Sequence, residues 1–329
     1  MGVKHRITRV GKAREVSLRE AFDEFIAEKE TQGLTEKTIR NYQMSYQYFI
    51  ELEFDEEDTF NINELTKIFV QQWVDSMRKK KMRVTTINTY LRFIRAFLYW
   101  CMDDERKYIE EAYKIELVKG QEPLPKIFTD EEVEAVLQKP TNLDDFVEWR
   151  MWAICNWVVA TGNRAATVCE ITLGDLDFTN YKIALRHTKN KKAQFIDMAE
   201  SLVPILKTYI KMWRYNEPNS AFLFPSYGDE QLTYNALRLA FSKYCHKRGV
   251  EKTNIHGLRH YFATRWVRGG GSGDKLKKIL GHSTYTMTQR YIQLEDRDVS
   301  SDFDRYNPLN TIKTSTNHKR GIKRNANKG

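Results

Sequence analysis

The segment from residue 149 to residue 160 reads Trp-Arg-Met-Trp-Ala-Ile-Cys-Asn-Trp-Val-Val-Ala and is apolar on nearly every side of a helix. A helix without a polar face has to be covered all round by other elements. We therefore predict a buried central helix here, and this requirement constrains the fold more than any other segment. The helix runs directly into Thr161-Gly162-Asn163-Arg164.

Residues 17–118 are predicted to form an all-helical unit. Ser17-Leu18-Arg19-Glu20 has the pattern of a capping box, Gly33 ends the first helix, and Thr35 is a candidate N-cap of the second. Apolar residues recur at helical spacing in four segments. These stripes are Leu18, Ala21, Phe22, Phe25 and Ile26; Ile39, Tyr42, Tyr46 and Phe49; Phe69, Val70, Trp73, Val74 and Met77; and Ile87, Tyr90, Leu91, Ile94 and Leu98.

A second unit follows a predicted linker at 119–128, which contains two prolines and a glycine. Thr129-Asp130-Glu131-Glu132 is another capping box and opens its first helix. Later in the unit, three short β signals separated by turn residues predict a small three-stranded sheet. They are residues 171–178, 182–187 and 194–198. From there to about residue 300 the pattern is helical again, with a glycine-rich loop at 269–273.

The predicted fold class is therefore mainly α with a small antiparallel β-sheet. The predicted organisation is a basic N-terminal arm, a helical domain, a linker, an α+β domain, and a C-terminal segment with a basic tail. Their bounds are 1–16, 17–118, 119–128, 129–300 and 301–329.

The net charge of +9 favours a polyanionic partner, but it is concentrated in the two tails. Residues 1–14 carry five basic residues and residues 311–329 carry six, and neither segment contains an acidic residue. Without those eleven, 42 basic residues stand against 44 acidic ones. A site for a polyanion in the body of the protein must therefore create its own local positive field.

Bulk composition excludes several classes of protein. Apolar residues make up 41% of the chain, which is typical of a globular protein, and no run approaches a membrane span of roughly 18 residues. The first residues lack the apolar segment of a signal peptide, so we expect a cytoplasmic protein. The cysteines are far apart, form no CxxC pair, and predict neither a zinc site nor disulfides, only small buried groups. They are Cys101, Cys155, Cys169 and Cys245.

Six residues far apart in the chain together predict one chemistry. Five carry cationic or proton-carrying side chains and the sixth is a tyrosine; in order they are Arg164, Lys189, His256, Arg259, His282 and Tyr291. Attack on a phosphodiester by a tyrosine hydroxyl needs positive charge around a nonbridging oxygen, a proton donor for the leaving oxygen, and a nucleophile. It needs no metal, so the set predicts an active site without metal or cofactor.

At these residues the chain resembles the tyrosine recombinases, the phage-type integrase family of site-specific DNA recombinases. The resemblance covers about residues 17–300 and is carried by two blocks. The first is Thr161-Gly162-Asn163-Arg164 followed by Leu173-Gly174-Asp175-Leu176-Asp177, and the second is His256-x-x-Arg259, Leu280-Gly281-His282 and Tyr291. The sequence departs from the family pattern at Thr167, where an acidic residue is usual, and at Asp197, where proline is common.

The arginines and the tyrosine would carry the central step. Guanidinium groups present paired N–H donors to phosphate oxygens and keep their charge, so Arg164 and Arg259 would clamp the phosphate. Tyr291 would be the nucleophile, forming a 3′-phosphotyrosyl bond and freeing a 5′ hydroxyl; this bond stores the energy for religation without ATP. Tyr285 and Tyr306 are competing tyrosines at less suitable positions.

The remaining residues would handle protons. The resemblance implies that Lys189, on the predicted hairpin, protonates the departing 5′ oxygen, and the strand at 195–198 sets the register that selects it from its neighbouring lysines. His256 would accept the tyrosine proton or bond the phosphate, and His282 would donate to a nonbridging oxygen. His260 is expected to cap or pack and not to catalyse.

The resemblance implies a homotetramer that binds double-stranded DNA recombination sites. Accessory directionality proteins are further candidate partners, and no interaction with a membrane is expected. Residues 17–118 would be the core DNA-binding, SAM-like domain. Residues 292–312 would link protomers or, alternatively, fold back on their own domain. Basic residues on the helix faces and in the turn before the fourth helix would contact the DNA backbone. They are Lys37, Arg40, Lys79, Lys80, Lys81, Arg83, Arg92 and Arg95.

The implied activity is site-specific DNA recombination by strand cleavage and rejoining. The basic tails and the departures at Thr167 and Asp197 favour the integrase or transposase of a mobile element over an Xer-like resolvase of chromosome or plasmid dimers. A type IB topoisomerase, which shares the chemistry, and a DNA-binding protein that has lost catalysis are further alternatives.

Overall fold

The computed structural model describes residues 16–53, 60–120, 127–186, 194–282, 284–285, 287–289 and 291. The predictions for the N-terminal arm, for most of the linker, for Lys189 and for the C-terminal segment fall outside these residues. The chain divides into two units, Met1–Pro123 and Leu124–Gly329. In the described residues the fold is mainly α with a three-stranded antiparallel sheet, which confirms the predicted fold class.

Four long helices build the first unit. The predicted capping box begins the first of them: the Glu20 amide donates to the Ser17 hydroxyl and the Ser17 amide donates to the Glu20 carboxylate. Thr35 receives an amide hydrogen bond at the start of the second helix, as predicted. The helices are α1 (Leu18–Thr31), α2 (Glu36–Glu53), α3 (Lys67–Lys79) and α4 (Val84–Cys101).

Their apolar stripes meet in one core. Phe25, Trp73 and Phe97 are completely buried, and the ring of Phe22 stacks on Tyr46 with 3.7 Å between centroids. Every residue of the predicted stripes except Tyr42, Phe69 and Tyr90 is buried, and Tyr42 and Tyr90 pack against this core from its edge. Burial of this apolar surface is what holds the four amphipathic helices together.

The second unit is organised around the predicted central helix. Its main helices are α5 (Asp130–Leu137), α6 (Phe146–Thr161), α7 (Ala165–Val168), α8 (Leu202–Trp213), α9 (Tyr234–Lys247), α10 (His256–Arg268) and α11 (Gly273–Leu280). Helix α6 contacts α5, α8, α9 and α10, and both Trp149 and Trp157 are buried on it. Arg150 of this helix is also buried and donates to the Pro225 carbonyl. The prediction of a buried central helix is confirmed.

The sheet consists of β1 (Leu176–Asp177), β2 (Lys182–Leu185) and β3 (Gln194–Asp197), in that order and antiparallel. The prediction of a strand from residue 171 was wrong at its start. The Asp175 carboxylate accepts from the amide and the hydroxyl of Thr172, which curls the chain into a 3₁₀ turn and leaves a strand of two residues. Asp197, the departure from proline, forms a cross-strand ion pair with Lys182.

The four cysteines are free and buried, as expected of small apolar groups. Burial raises the pKa of the Cys169 and Cys245 thiols to about 12, so both stay protonated at neutral pH. No helix in the described residues is long and apolar enough to span a membrane. The described residues also hold no cluster of His, Cys, Asp and Glu side chains with the arrangement of a metal site.

Candidate active site

The end of the central helix positions the first arginine of the site. Gly162 ends α6 in the left-handed conformation, with φ of 64°, and Arg164 then becomes the N-cap of α7. A Cβ atom at Gly162 would lie 2.4 Å from a ring carbon of Phe262 and 2.8 Å from a methyl carbon of Leu280. Glycine is therefore needed at position 162 for two reasons: its backbone conformation and the close approach of α10 and α11.

Helix α10 presents three side chains of the candidate site together. His256, Arg259 and His260 lie at i, i+3 and i+4, so they share one face of the helix. Arg259 is buried, with 6% of its surface exposed. One of its terminal nitrogens donates to the Gly162 carbonyl at 2.7 Å and the other to the Leu280 carbonyl at 2.9 Å. This guanidinium therefore joins the ends of α6 and α11.

Both arginines converge on the turn after α11. The Arg164 guanidinium donates to the carbonyls of Leu280 and Gly281 at 3.3 and 3.4 Å. Across the described ranges neither Arg164 nor Arg259 pairs with a carboxylate, and backbone carbonyls accept from both guanidinium groups instead. Each guanidinium keeps further N–H groups that these contacts do not use.

The two guanidinium groups repel each other. Burial and the charge of Arg164 lower the pKa of Arg259 to about 10, which keeps it charged at neutral pH. Two close cations without an acidic partner form a strong local positive field. A bound anion would relieve this repulsion, and a phosphate oxygen has the geometry that paired N–H donors recognise.

His282 follows Gly281, whose φ of 59° ends α11 in the left-handed conformation. Its Nε2 lies 3.0 Å from an Arg259 terminal nitrogen, and its Nδ1 lies 2.9 Å from the Thr288 hydroxyl. Arginine can only donate, so Nε2 accepts and the ring proton is on Nδ1, directed at Thr288. Burial, with the charges of Arg259 and Arg164, lowers the pKa of His282 to about 4, so the ring is neutral.

In this arrangement His282 Nε2 has no proton to give. The predicted donation from His282 to a phosphate oxygen would first require Arg259 to leave the ring, or the ring to gain a second proton. A phosphate beside the ring would favour both changes, because it draws the guanidinium to itself and stabilises a positive imidazolium.

Tyr291 is 6% exposed and packs against Ala263, Leu276 and Leu280. Its hydroxyl lies 2.7 Å from Nδ1 of His260. The prediction that His260 only caps or packs did not anticipate this contact with the hydroxyl. The helical spacing of four residues from His256 was the signal in the sequence that could have found it.

His256 is half-buried and faces the two arginines. Burial, then the charges of Arg259 and Arg164, lower its pKa. The competing tyrosine Tyr285 is 43% exposed, and Tyr306 lies outside the described residues.

Five of the six predicted residues therefore come together, and Lys189 is not described. The strand that follows it begins close to the site. The Gln194 side chain donates to the Lys278 carbonyl at 3.1 Å, near the end of α11. This contact ties the start of β3 to the turn that holds the arginines.

The eight basic residues predicted to contact DNA lie in the first unit. All are exposed except Arg95, which is half-buried with its guanidinium 5.9 Å from the centre of the Tyr99 ring. Lys81 has a φ of 55° in the turn between α3 and α4. Within the described part of the chain none of the eight pairs with a carboxylate, so their charges are available to a partner; contact with DNA stays a prediction.

Fold and site together define a class of enzyme, the tyrosine recombinases that break and rejoin DNA. Residues 126–298 match the Phage integrase family, and residues 17–118 match the Phage integrase SAM-like domain. The chain belongs to the phage integrase family.

The similarity to named relatives extends along most of the chain. Tyrosine recombinase XerC of Listeria monocytogenes serotype 4b (strain F2365) is 24% identical over 293 residues, which cover 87% of this chain and 96% of the relative. Tyrosine recombinase XerA of Pyrococcus furiosus is 25% identical over 303 residues, covering 91% and 98%.

Solved structures share the fold. The Tn1549 transposon integrase in complex with transposon right-end DNA superposes with a TM-score of 0.70 at 20% identity, covering 88% of this chain and 99% of that one. The lambda integrase tetramer bound to a Holliday junction superposes with a TM-score of 0.66 at 14% identity, covering 87% and 81%.

Proposed function

We propose that this protein cuts and rejoins specific sites in duplex DNA through a 3′-phosphotyrosine bond at Tyr291, as the integrase or transposase of a mobile element. One observation carries the chemistry: two arginines without a carboxylate partner in the described residues share a site with the hydroxyl of a buried tyrosine. A cationic pair of this kind is suited to a phosphodiester.

In the proposed reaction the scissile phosphate occupies the field of Arg164 and Arg259. The Tyr291 oxygen attacks phosphorus, the bond to the 5′ oxygen breaks, and a phosphotyrosyl bond to the 3′ end forms. The guanidinium groups stabilise the negative charge that develops on the nonbridging oxygens. Lys189 gives a proton to the departing 5′ oxygen. Rejoining is the reverse, with a 5′ hydroxyl as the attacking group.

The biological role has two candidates. The basic tails and the departures at Thr167 and Asp197 support a mobile-element enzyme. The Xer names of relatives that match nearly the whole chain support a resolvase of DNA dimers instead. Both roles would use a homotetramer on two DNA sites, and accessory directionality proteins would belong to the first.

The chemistry is tested with nicked suicide duplexes made from the DNA that flanks the gene. We expect the full-length protein to form a covalent adduct that survives denaturing gel electrophoresis. Tyr291→Phe should form none while it still shifts the duplex in a native gel. Tyr285→Phe is the matched control and should react normally. An adduct with Tyr291→Phe would contradict the assignment of the nucleophile.

The same DNA separates the biological roles. Recombination between repeats that bound the gene would support an integrase, and recombination only at a site elsewhere in the chromosome would support a resolvase. Relaxation of a supercoiled plasmid that lacks these sites would instead indicate a topoisomerase. Binding of the true site without cleavage would indicate a protein that has lost catalysis.

A further inference from the structure

We propose that His260 is the general base that takes the proton from Tyr291 during DNA cleavage and returns it during rejoining. This inference deepens the proposed function and rests on it for the identity of the nucleophile. The sequence pattern left open whether His256 accepts the tyrosine proton, and this proposal gives that role to His260.

His260 is in contact with the reacting atom. His260 Nδ1 lies 2.7 Å from the Tyr291 hydroxyl, within the reach that direct proton transfer requires. Both rings are held in place: Tyr291 is buried against α10 and α11, and His260 is half-buried on α10. A base needs this fixed geometry more than it needs a particular pKa.

His256 and His260 face different groups from the same helix, α10. His256 lies one turn before His260 and faces the charges of Arg259 and Arg164, the groups proposed to hold the phosphate. His260 faces the tyrosine. His256 is therefore placed for a phosphate oxygen, and His260 for the proton of the nucleophile.

The protonation state of His260 suits a base. Burial, then His256 and Arg259, lower the pKa of His260, so the ring is neutral and able to accept a proton at neutral pH. The groups that face it are His256 and Arg259 on its own helix, His282 after α11, and Tyr291. To accept at Nδ1, His260 must carry its own proton on Nε2.

Every bond that breaks in this step is matched by one that forms. The Tyr291 O–H bond breaks and its proton moves to His260 Nδ1, giving an imidazolium. The phenolate electron pair forms the bond to phosphorus while the bond to the 5′ oxygen breaks, and that oxygen takes a proton from Lys189. In the reverse step the imidazolium returns its proton to the departing tyrosine oxygen.

One test needs no DNA. In protein labelled with nitrogen-15 histidine, NMR correlations between ring protons and ring nitrogens report which nitrogen carries the proton. The His260 signals are assigned by their absence in His260→Gln. We expect a proton on Nε2 and an unprotonated Nδ1 that responds to Tyr291→Phe. A proton on Nδ1 would make the tyrosine the acceptor and overturn the proposal.

A second test follows single-turnover cleavage of the suicide duplex against pH. The wild-type rate should level off above the pKa of His260. His260→Gln can keep a hydrogen bond but cannot take a proton, so its rate should be lower by on the order of 100-fold near pH 7 and rise steadily with pH. A fluorinated tyrosine at position 291, with a more acidic phenol, should restore much of the loss.

Two further variants serve as comparisons for His260→Gln. His256→Gln should react more slowly but keep the wild-type plateau, and His246→Gln, which changes an exposed histidine of α9, should behave as wild type. If His260→Gln were slower by one constant factor at every pH, its role would be structural and the proposal would fail. Absence of any wild-type adduct would contradict the proposed function instead, and the NMR result would still decide the hydrogen bond.

Discussion

At the scale of single residues, arginine at position 259 does what lysine could not. Its planar fork reaches the Gly162 and Leu280 carbonyls with different nitrogens and also contacts the His282 ring. An ammonium is a single point of charge and cannot hold two helix ends while it presents further donors to a phosphate. The same side chain is therefore both part of the fold and part of the proposed site.

Gly162 is the residue at which stability and the site are most closely linked. We expect Gly162→Ala to lower the free energy of unfolding by about 2–4 kcal/mol, because it adds left-handed strain of about 1 kcal/mol to overpacking against Phe262 and Leu280. Urea unfolding measures the free energy of unfolding, and adduct formation by the same variant is measured alongside it.

Gly249 offers the matched control for this change. It has a φ of 71°, and its Cβ would meet nothing within 4 Å. Gly249→Ala should therefore cost only the backbone strain, about 1 kcal/mol, and leave adduct formation unchanged. Equal losses for the two variants would show that the contact between α6, α10 and α11 is not tight.

At the scale of elements, the end of α3 and the turn after it concentrate positive charges that have no carboxylate partner in the described residues. If Lys79, Lys80 and Lys81 contact phosphates, replacing all three by alanine should weaken binding to a duplex of arbitrary sequence. The slope of log affinity against log salt concentration should fall by about 3, because about one counterion is released for each phosphate contact.

Fluorescence anisotropy at several salt concentrations measures this slope. Exposed lysines outside the predicted contact set provide the control, and the double variant Lys211→Ala/Lys243→Ala should leave the slope unchanged. A triple variant with the wild-type slope would remove the turn from the DNA interface.

At the scale of the whole molecule, the site makes folding sensitive to acid. Burial and neighbouring charges lower the pKa values of His256, His260 and His282, the last to about 4. An unfolded chain binds these protons near pH 6.5, and the folded one only at lower pH. Their stability contribution is therefore fully present above about pH 6.5 and is lost as pH falls towards 4.

We expect the free energy of unfolding to drop by about 1–3 kcal/mol between pH 7.5 and pH 5 through these groups. Urea unfolding at several pH values measures the drop. His282→Gln cannot take up the proton, so its curve should be flatter than that of the wild type. A curve of the same steepness would place the acid sensitivity elsewhere in the molecule.

Local patterns in the sequence were enough to predict the helices and most residues of the candidate site. Helical spacing and capping boxes depend on neighbours within one or two turns, so Ser17, Thr129 and the apolar segment at 149–160 were interpreted correctly. The prediction that the first strand begins at residue 171 was wrong for a local reason too, since the Asp175 side chain accepts a hydrogen bond from Thr172. An ordered set of motifs was sufficient to predict the family.

How those residues meet depends on the packing of distant segments of the chain. Arg164 and Arg259 are far apart in sequence, and their common contact with the Leu280 carbonyl exists because the end of α6, the first turn of α10 and the end of α11 meet at one place. The contact of His260 with Tyr291, and the neutral His282 held between Arg259 and Thr288, have the same origin. Sequence alone determined which side chains are available for the chemistry; distance, burial and protonation state depend on packing between distant segments.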